Sequence, residues 1–258
     1  APATRRGGGA GPPRELRLKG VWAHGGLEPG DRGHLVPWAL VGAPAGERRD
    51  DDDWTVDARG DRFWVHSPEV FVAPTAVAAA AGCERRAWLQ TTSGSSGGAS
   101  EAMALGSAKH ACLERILAGD RDVAAVASAA VKAKAPDLFA AKVSDAKAKR
   151  LCAEFAQQAL SWPPLASITS AAPEQPLWAP ALGLYGVADA VVDAGRGAAP
   201  LELKTGRPRM DHEAQTALYV AMLRQARPGT ARAGDDGRAG LLVHAAPDAP
   251  LATRGVLA

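Results

Sequence analysis

The sequence predicts an α/β domain, neither all-helical nor all-β, with a small β-rich piece in front of it. Three observations carry that expectation. From Glu15 to His66 the chain breaks into short strand-like runs between Gly, Pro and charge clusters. From Pro74 to Leu160 it is Ala-rich with apolar residues at helical spacing. Beyond that come three strand-like runs, a helix and a last strand. With 258 residues, 47% of them hydrophobic, there is material for one large domain and an appendage.

In chain order, residues 1–14 are Gly, Pro, Ala and Arg, which cannot bury a core, so this segment is expected to be disordered. Residues 15–66, with "ELRLKGVWAHG", "GDRGHLVPWALVG" and "WTVDARGDRFWVHS", read as a small OB-like β-barrel or meander. Its charge-dense "GERRDDDDW" is expected to be a solvated loop at Glu47 to Asp53. Residues 67–258 form the main domain. "PTAVAAAAGCERRAWLQ" gives one or two short helices and "TTSGSSGGAS" a flexible break. Leu105, Leu113 and Leu117 mark a helix ending at Gly119, and further helix runs from about Asp120 to Leu160. The strands are "LASITSAAPEQPLWA", "LGLYGVADAVVD" and "PLELKTG", followed by a helix on "DHEAQTALYVAMLRQA" and a strand on "AGLLVHA".

Composition narrows the function classes. A net charge of +2 is too mild to argue for nucleic acid by itself. There is no apolar run long enough to span a bilayer and no apolar segment of a signal peptide near the start, so the chain reads as soluble and intracellular, without a membrane partner. Cys83, Cys112 and Cys152 include no close pair, which argues against a disulfide scaffold. No GxxxxGK[ST] phosphate loop occurs, so no ATPase is expected in this chain. The start without Met and the stop at "TRGVLA" read as a fragment truncated at its C-terminus.

The chemistry gathers around "PLELKTG". On a strand, Glu202 and Lys204 share one face and Leu201 and Leu203 the other. If the preceding strand pairs beside it, Asp189 comes next to Glu202, and two adjacent carboxylates need a cation. Mg²⁺ or Mn²⁺ suits such oxygen donors and keeps positions open for a phosphate. Lys204 would then sit against a phosphate or an attacking water. A plain Glu202–Lys204 ion pair accounts for the E-x-K pattern alone equally well. On the next helix His212, Gln215 and Tyr219 fall at i, i+3 and i+7, a stripe suited to phosphate and base contacts. His110, a turn after Gly106, is a lone helical histidine, a type that is usually structural.

The series "GxxxH" at Gly106–His110, "GVAD" at Gly186–Asp189, "ELK" at Glu202–Lys204 and "QxxxY" at Gln215–Tyr219 resembles the RecB-like branch of the PD-(D/E)XK nucleases. Together with "VAPTAVAAAAGCERRAWL" and "EQPLWAPALGLYGVADAVVD", the chain from about Leu16 to Ala245 resembles the nuclease domain of the eukaryotic DNA replication ATP-dependent helicase/nuclease family. The resemblance implies a restriction-endonuclease-like core (helices, three-stranded sheet, helix, strand). It implies metal-assisted hydrolysis of single-stranded or flap DNA, in a nuclear and also mitochondrial setting. The helicase domain of the same parent protein and a single-stranded DNA-binding protein would be its partners. By position, His110, Asp189 and Glu202 would hold the metal, Lys204 would orient or activate water, and Gln215, Tyr219 and His212 would contact DNA. Glu174 matches a further acidic position. In this family four cysteines hold a [4Fe-4S] cluster; Cys83 matches the first, and the three that follow the nuclease motifs have no counterpart here.

Two rival readings remain open. A DNA-binding module without catalysis would keep the fold and lose the chemistry. A penicillin-recognising serine hydrolase would use S-x-x-K and K-T-G, for which "SDAK" at Ser144–Lys147 and "KTG" at Lys204–Gly206 stand, although no S-D-N occurs.

Overall fold

The computed structural model describes residues 2–3, 14–20, 23, 27, 31–38, 54–93, 100–195, 197–226, 238–245 and 250–257. The front piece consists of short strands: β1 (Pro2–Ala3), β2 (Arg14–Glu15), β3 (Arg17–Leu18), β4 (Gly33–Pro37), β5 (Thr55–Val56) and β6 (Arg62–His66). They pair as β1–β2, β3–β5 and β4–β6, so among the described residues the expected barrel is three separate two-stranded ladders. Most of the segment expected to be disordered, and the acidic loop at Glu47 to Asp53, lie outside the described residues.

Helices follow: α1 (Pro74–Ala80), α2 (Glu84–Ser93), α3 (Glu101–Leu117), α4 (Val123–Ala133), α5 (Ala135–Ala140) and α6 (Asp145–Leu160). Local chemistry sets their starts. Pro74 opens α1 at a position where its missing N–H costs nothing. Ser100, Asp122 and Ser144 each accept a first-turn backbone N–H at the head of α3, α4 and α6. Thr91 to Ser93 extend α2 instead of beginning the break, and their hydroxyl-bearing Thr91 and Thr92 donate to Ala87 and Trp88 carbonyls one turn back.

The sheet is larger than expected. β7 (Ser170–Ala179), β8 (Leu184–Asp193), β9 (Ala198–Lys204), β10 (Arg238–His244) and β11 (Ala252–Leu257) lie in the order β11-β10-β9-β8-β7. "PLAS" before β7 is a 3-10 turn, because Pro163 and Pro164 remove two ladder donors. β11, over the "TRGVL" that the sequence reading left unassigned, pairs antiparallel with β10. It is also pinned by Trp162, whose indole N–H donates to Thr253 Oγ1 at 2.6 Å. β9 and β10 are parallel and are joined through α7 (Met210–Ala226), the crossover that parallel strands require.

Two apolar clusters cover the sheet. On one face Ala108, Cys112 and Ile116 of α3, with Val126 and Phe155, pack on Ala190, Val192, Leu201 and Leu203. On the other, Tyr219, Met222 and Leu223 of α7 pack on Leu177, Leu184, Ala188 and Val191. Regular alternation would put Ala188 and Ala190 on the same face. Here they belong to opposite clusters, so the in-and-out alternation of β8 breaks beside Asp189 while its register with β7 runs on unchanged.

Candidate active site

The ladder between β8 and β9 ends at the pair Ala190–Leu201. Two residues further along β9, the Leu203 N–H donates to Asp189 Oδ2 at 2.7 Å, so a side chain replaces a strand carbonyl as its acceptor. The expectation that Asp189 stands beside Glu202 holds: the strands are neighbours, and the charge of Asp189 acts on Glu202. From the helical face, His110 Nδ1 lies 2.9 Å from Asp189 Oδ1. Gly106 makes that approach available, since a Cβ there would stand 2.9 Å from Thr205 Oγ1 at the end of β9. The GxxxH spacing thus has a mechanical reading: the glycine lets α3 close on the strand end, and the histidine one turn later reaches the carboxylate.

Glu202 is 4% exposed. Its Oε1 accepts from Lys204 Nζ at 2.8 Å and from Gln215 Nε2 at 2.7 Å, and Lys204 also donates to Gln215 Oε1 at 2.8 Å. The strand ion pair is therefore real, and it is one edge of a triangle. Glu202 Oε2 is buried and has no hydrogen-bond partner. A buried, unpaired carboxylate oxygen is costly unless something charged meets it.

Burial first, then the Asp189 charge, pushes the Glu202 carboxyl up to about 7, against the pull of Lys204 and His110. At His110, burial works to lower the pKa, but the Asp189 hydrogen bond and the charges of Asp189 and Glu202 raise it above 6.5. Both shifts favour the protonated form in the fold. The stability they give is present below the unfolded values and is lost as pH rises through the folded ones. Burial lowers the pKa of His212 and of His244, and these two act in the opposite direction. Comparing metal-free wild type with Glu202→Gln reads the carboxyl together with its pull on His110. The wild type should lose on the order of 3 kcal/mol relative to the variant between about pH 4.5 and above 7, read by urea denaturation.

Glu174 comes up against Asp189 from the neighbouring strand. Pro173 pairs with Ala190 and Gln175 with Ala188, which leaves Glu174 facing Asp189 across the strands, at φ 46°. Burial, Asp189 and Glu114 raise its pKa, while His110 and Lys134 oppose them. A cleft of about 570 Å³ is lined by Gly106, His110, Glu114, Lys134, Glu174 and Thr205, among others. Glu114, Lys134 and Thr205 have no site role in the sequence reading, although Glu114 follows His110 by one helical turn.

The α7 stripe requires a correction. Gln215 and Tyr219 were expected to contact DNA, yet they are 5% and 3% exposed. Gln215 is committed to Glu202 and Lys204, and the Tyr219 hydroxyl donates to the Val187 carbonyl at 2.8 Å. Gly186 admits the tyrosine ring, since a Cβ there would come within 3.1 Å of it. The stripe points inward because α7 crosses over the sheet and its polar side chains meet the polar end of β9. Gln215 and Tyr219 each hold a neighbouring group of the sheet. His212 lies with Nδ1 3.3 Å from Nε2 of His244, which the parallel register puts beside Lys204.

Cys83 is exposed between α1 and α2, whereas Cys112 and Cys152 are buried, with the Cys112 thiol 4.0 Å from the Cys152 carbonyl oxygen. These three do not form a common donor set, so the residues present do not fit a four-cysteine cluster. Ser144 caps α6, and Lys147 is paired with Glu101 at 2.7 Å on an exposed surface. Neither residue lines the cleft beside His110.

Among the described residues no group of three or more His, Cys, Asp and Glu stands ready-made around a metal position. The fit to a divalent ion rests on the orphaned Glu202 Oε2 and on the oxygen-rich set around it. Among the described residues no helix is long and apolar enough to cross a membrane. A family model described as DNA replication factor Dna2 matches residues 9–167, well over half of the chain. The match includes Gly106 and His110 and stops before β7, so the assignment of Asp189, Glu202, Lys204 and α7 rests on their geometry. No curated protein matches the chain.

Proposed function

Since the chain belongs to the DNA replication factor Dna2 family, we propose that it is a divalent-metal-dependent nuclease domain that hydrolyses phosphodiester bonds in single-stranded or flap DNA. One observation carries this reading: a buried carboxylate with one oxygen engaged by Lys204 and Gln215 and the other unpartnered, beside a second carboxylate braced by a histidine.

Glu202 and Asp189 would hold the ion, with His110 and Glu174 at its margin. When bound, Mg²⁺ or Mn²⁺ would lower the pKa of a coordinated water and neutralise charge on the phosphoryl oxygens. The chain's own residues do the rest. Gln215 fixes the Glu202 carboxylate by donating to Oε1, so that Oε2 is the oxygen presented. Lys204, anchored on Glu202 and Gln215, offers the cation nearest a phosphate or an attacking water. His110 holds Asp189 Oδ1, and the Leu203 N–H holds Oδ2, which keeps that carboxylate from rotating.

The test is digestion of end-labelled single-stranded and 5′-flap DNA. Cleavage is expected with Mg²⁺ and none with EDTA. Binding without cleavage in both conditions would make the chain a DNA-binding module. Covalent β-lactam labelling at Ser144 would support the serine hydrolase instead.

A further inference from the structure

The β7–β8 face carries a second feature that the acidic site does not use. Trp178 and Tyr185 are cross-strand partners. Their ring centroids are 4.0 Å apart and the planes tilted by 37°. Phe71, on the approach to α1, meets Trp178 edge-on, with centroids 5.1 Å apart at 84°. Such a cluster normally hides in a core. Here Trp178 is 51% exposed, Phe71 41% and Val187 40%.

Strand alternation connects this cluster to the carboxylates. On β8 the residues Tyr185, Val187 and Asp189 follow one another on one face; on β7 the exposed positions are Trp178, Pro176 and Glu174. The register pairs Trp178 with Tyr185 and Pro176 with Val187, and leaves Glu174 facing Asp189. A single stripe therefore runs from an aromatic end through an apolar step to an acidic end, about 13 Å along the strand from Tyr185 to Asp189.

We propose that Trp178, Tyr185 and Phe71 form a stacking platform for unpaired bases, from which a single strand is led to Asp189 and Glu202. The position of the platform rests on the nuclease reading of those carboxylates. A duplex hides its base faces, whereas a single strand presents one at every nucleotide, and stacking on exposed rings tolerates any sequence. Continuity with the acidic end of the same stripe favours DNA over a protein partner as the occupant, since a protein contact would have no reason to end on the carboxylates.

The experiment measures binding in EDTA, so that no cleavage is needed. Fluorescence anisotropy compares a labelled oligothymidylate with an abasic deoxyribose-phosphate oligomer of the same length. Wild type should prefer the oligothymidylate. Trp178→Ala should lose about 5- to 100-fold in affinity for it and little for the abasic strand, while Trp178→Phe keeps most of the preference. Equal wild-type binding of the two strands, or an unchanged preference in Trp178→Ala, overturns the platform. So does a variant that loses self-association in sedimentation and keeps its preference, which would make the patch a contact between copies. Should Trp178→Ala melt, the wild-type strand comparison still decides. A base preference without magnesium-dependent cleavage would keep the platform and sink the nuclease reading; cleavage without the preference would do the reverse.

Discussion

Glu202→Ala is expected to abolish DNA cleavage, with a rate loss on the order of 10²–10³-fold or more, and to leave single-stranded DNA binding largely intact. The carboxylate is buried and contributes through an oxygen aimed at no protein group, so its removal deletes charge where a metal and a phosphate would meet. Asp189→Ala should behave alike and in addition free His110 and the Leu203 N–H, which both lean on it. The informative companion is Glu202→Gln. It keeps the shape and the Oε1 acceptor of Lys204 and Gln215, and removes the buried charge. Above about pH 7 the metal-free variant should be no less stable than wild type while being inactive. A Glu202 variant that cut flap DNA at the wild-type rate in magnesium would remove Glu202 from the site.

Lys204→Met should be both inactive and unstable, and the two effects can be separated. The ammonium is the cation that answers the Glu202 carboxylate, at 2.8 Å, and Glu202 is almost fully buried. Breaking a buried pair from one side leaves a lone charge and costs roughly 3–5 kcal/mol. That cost should be largest above pH 7, where Glu202 is ionised, and should shrink below it as the carboxyl takes up a proton. Urea denaturation at either side of that value measures this directly. Adding Glu202→Gln to Lys204→Met should restore most of the stability and none of the cleavage. A single variant with full stability at both pH values would show that Lys204 is not needed to hold the carboxylate.

The placement of the candidate residues was legible where it was local. Glu202 and Lys204 follow from alternation on a short apolar strand, and Asp189 from an apolar run of the right length before it. His110 was placed on its helix by spacing, but its role came only with the resemblance. What could not be read depends on partners far along the chain. The α7 stripe of His212, Gln215 and Tyr219 was placed correctly on one face, but which way the face turns is decided by β9 and by the space at Gly186. Trp178 and Tyr185 meet only because β7 and β8 pair in one register out of several, and His244 reaches Lys204 only through a parallel crossover. β11 has Thr, Arg and Gly in its run and little alternation to announce it; pairing with β10 and the Trp162 contact make it a strand. The front barrel was read from short strand-like runs between Gly and Pro, and which runs pair, and whether they close, is set by contacts that the described ladders cover only in part.

The Leu203 amide proton is held by the Asp189 carboxylate and not by a neighbouring strand. Its exchange with solvent requires this one braced side chain to release it and water to reach a buried position, a more local event than the parting of two strands. The two strands have already parted past the pair Ala190–Leu201, and the amide beside that opening reports each time the Asp189 carboxylate lets go.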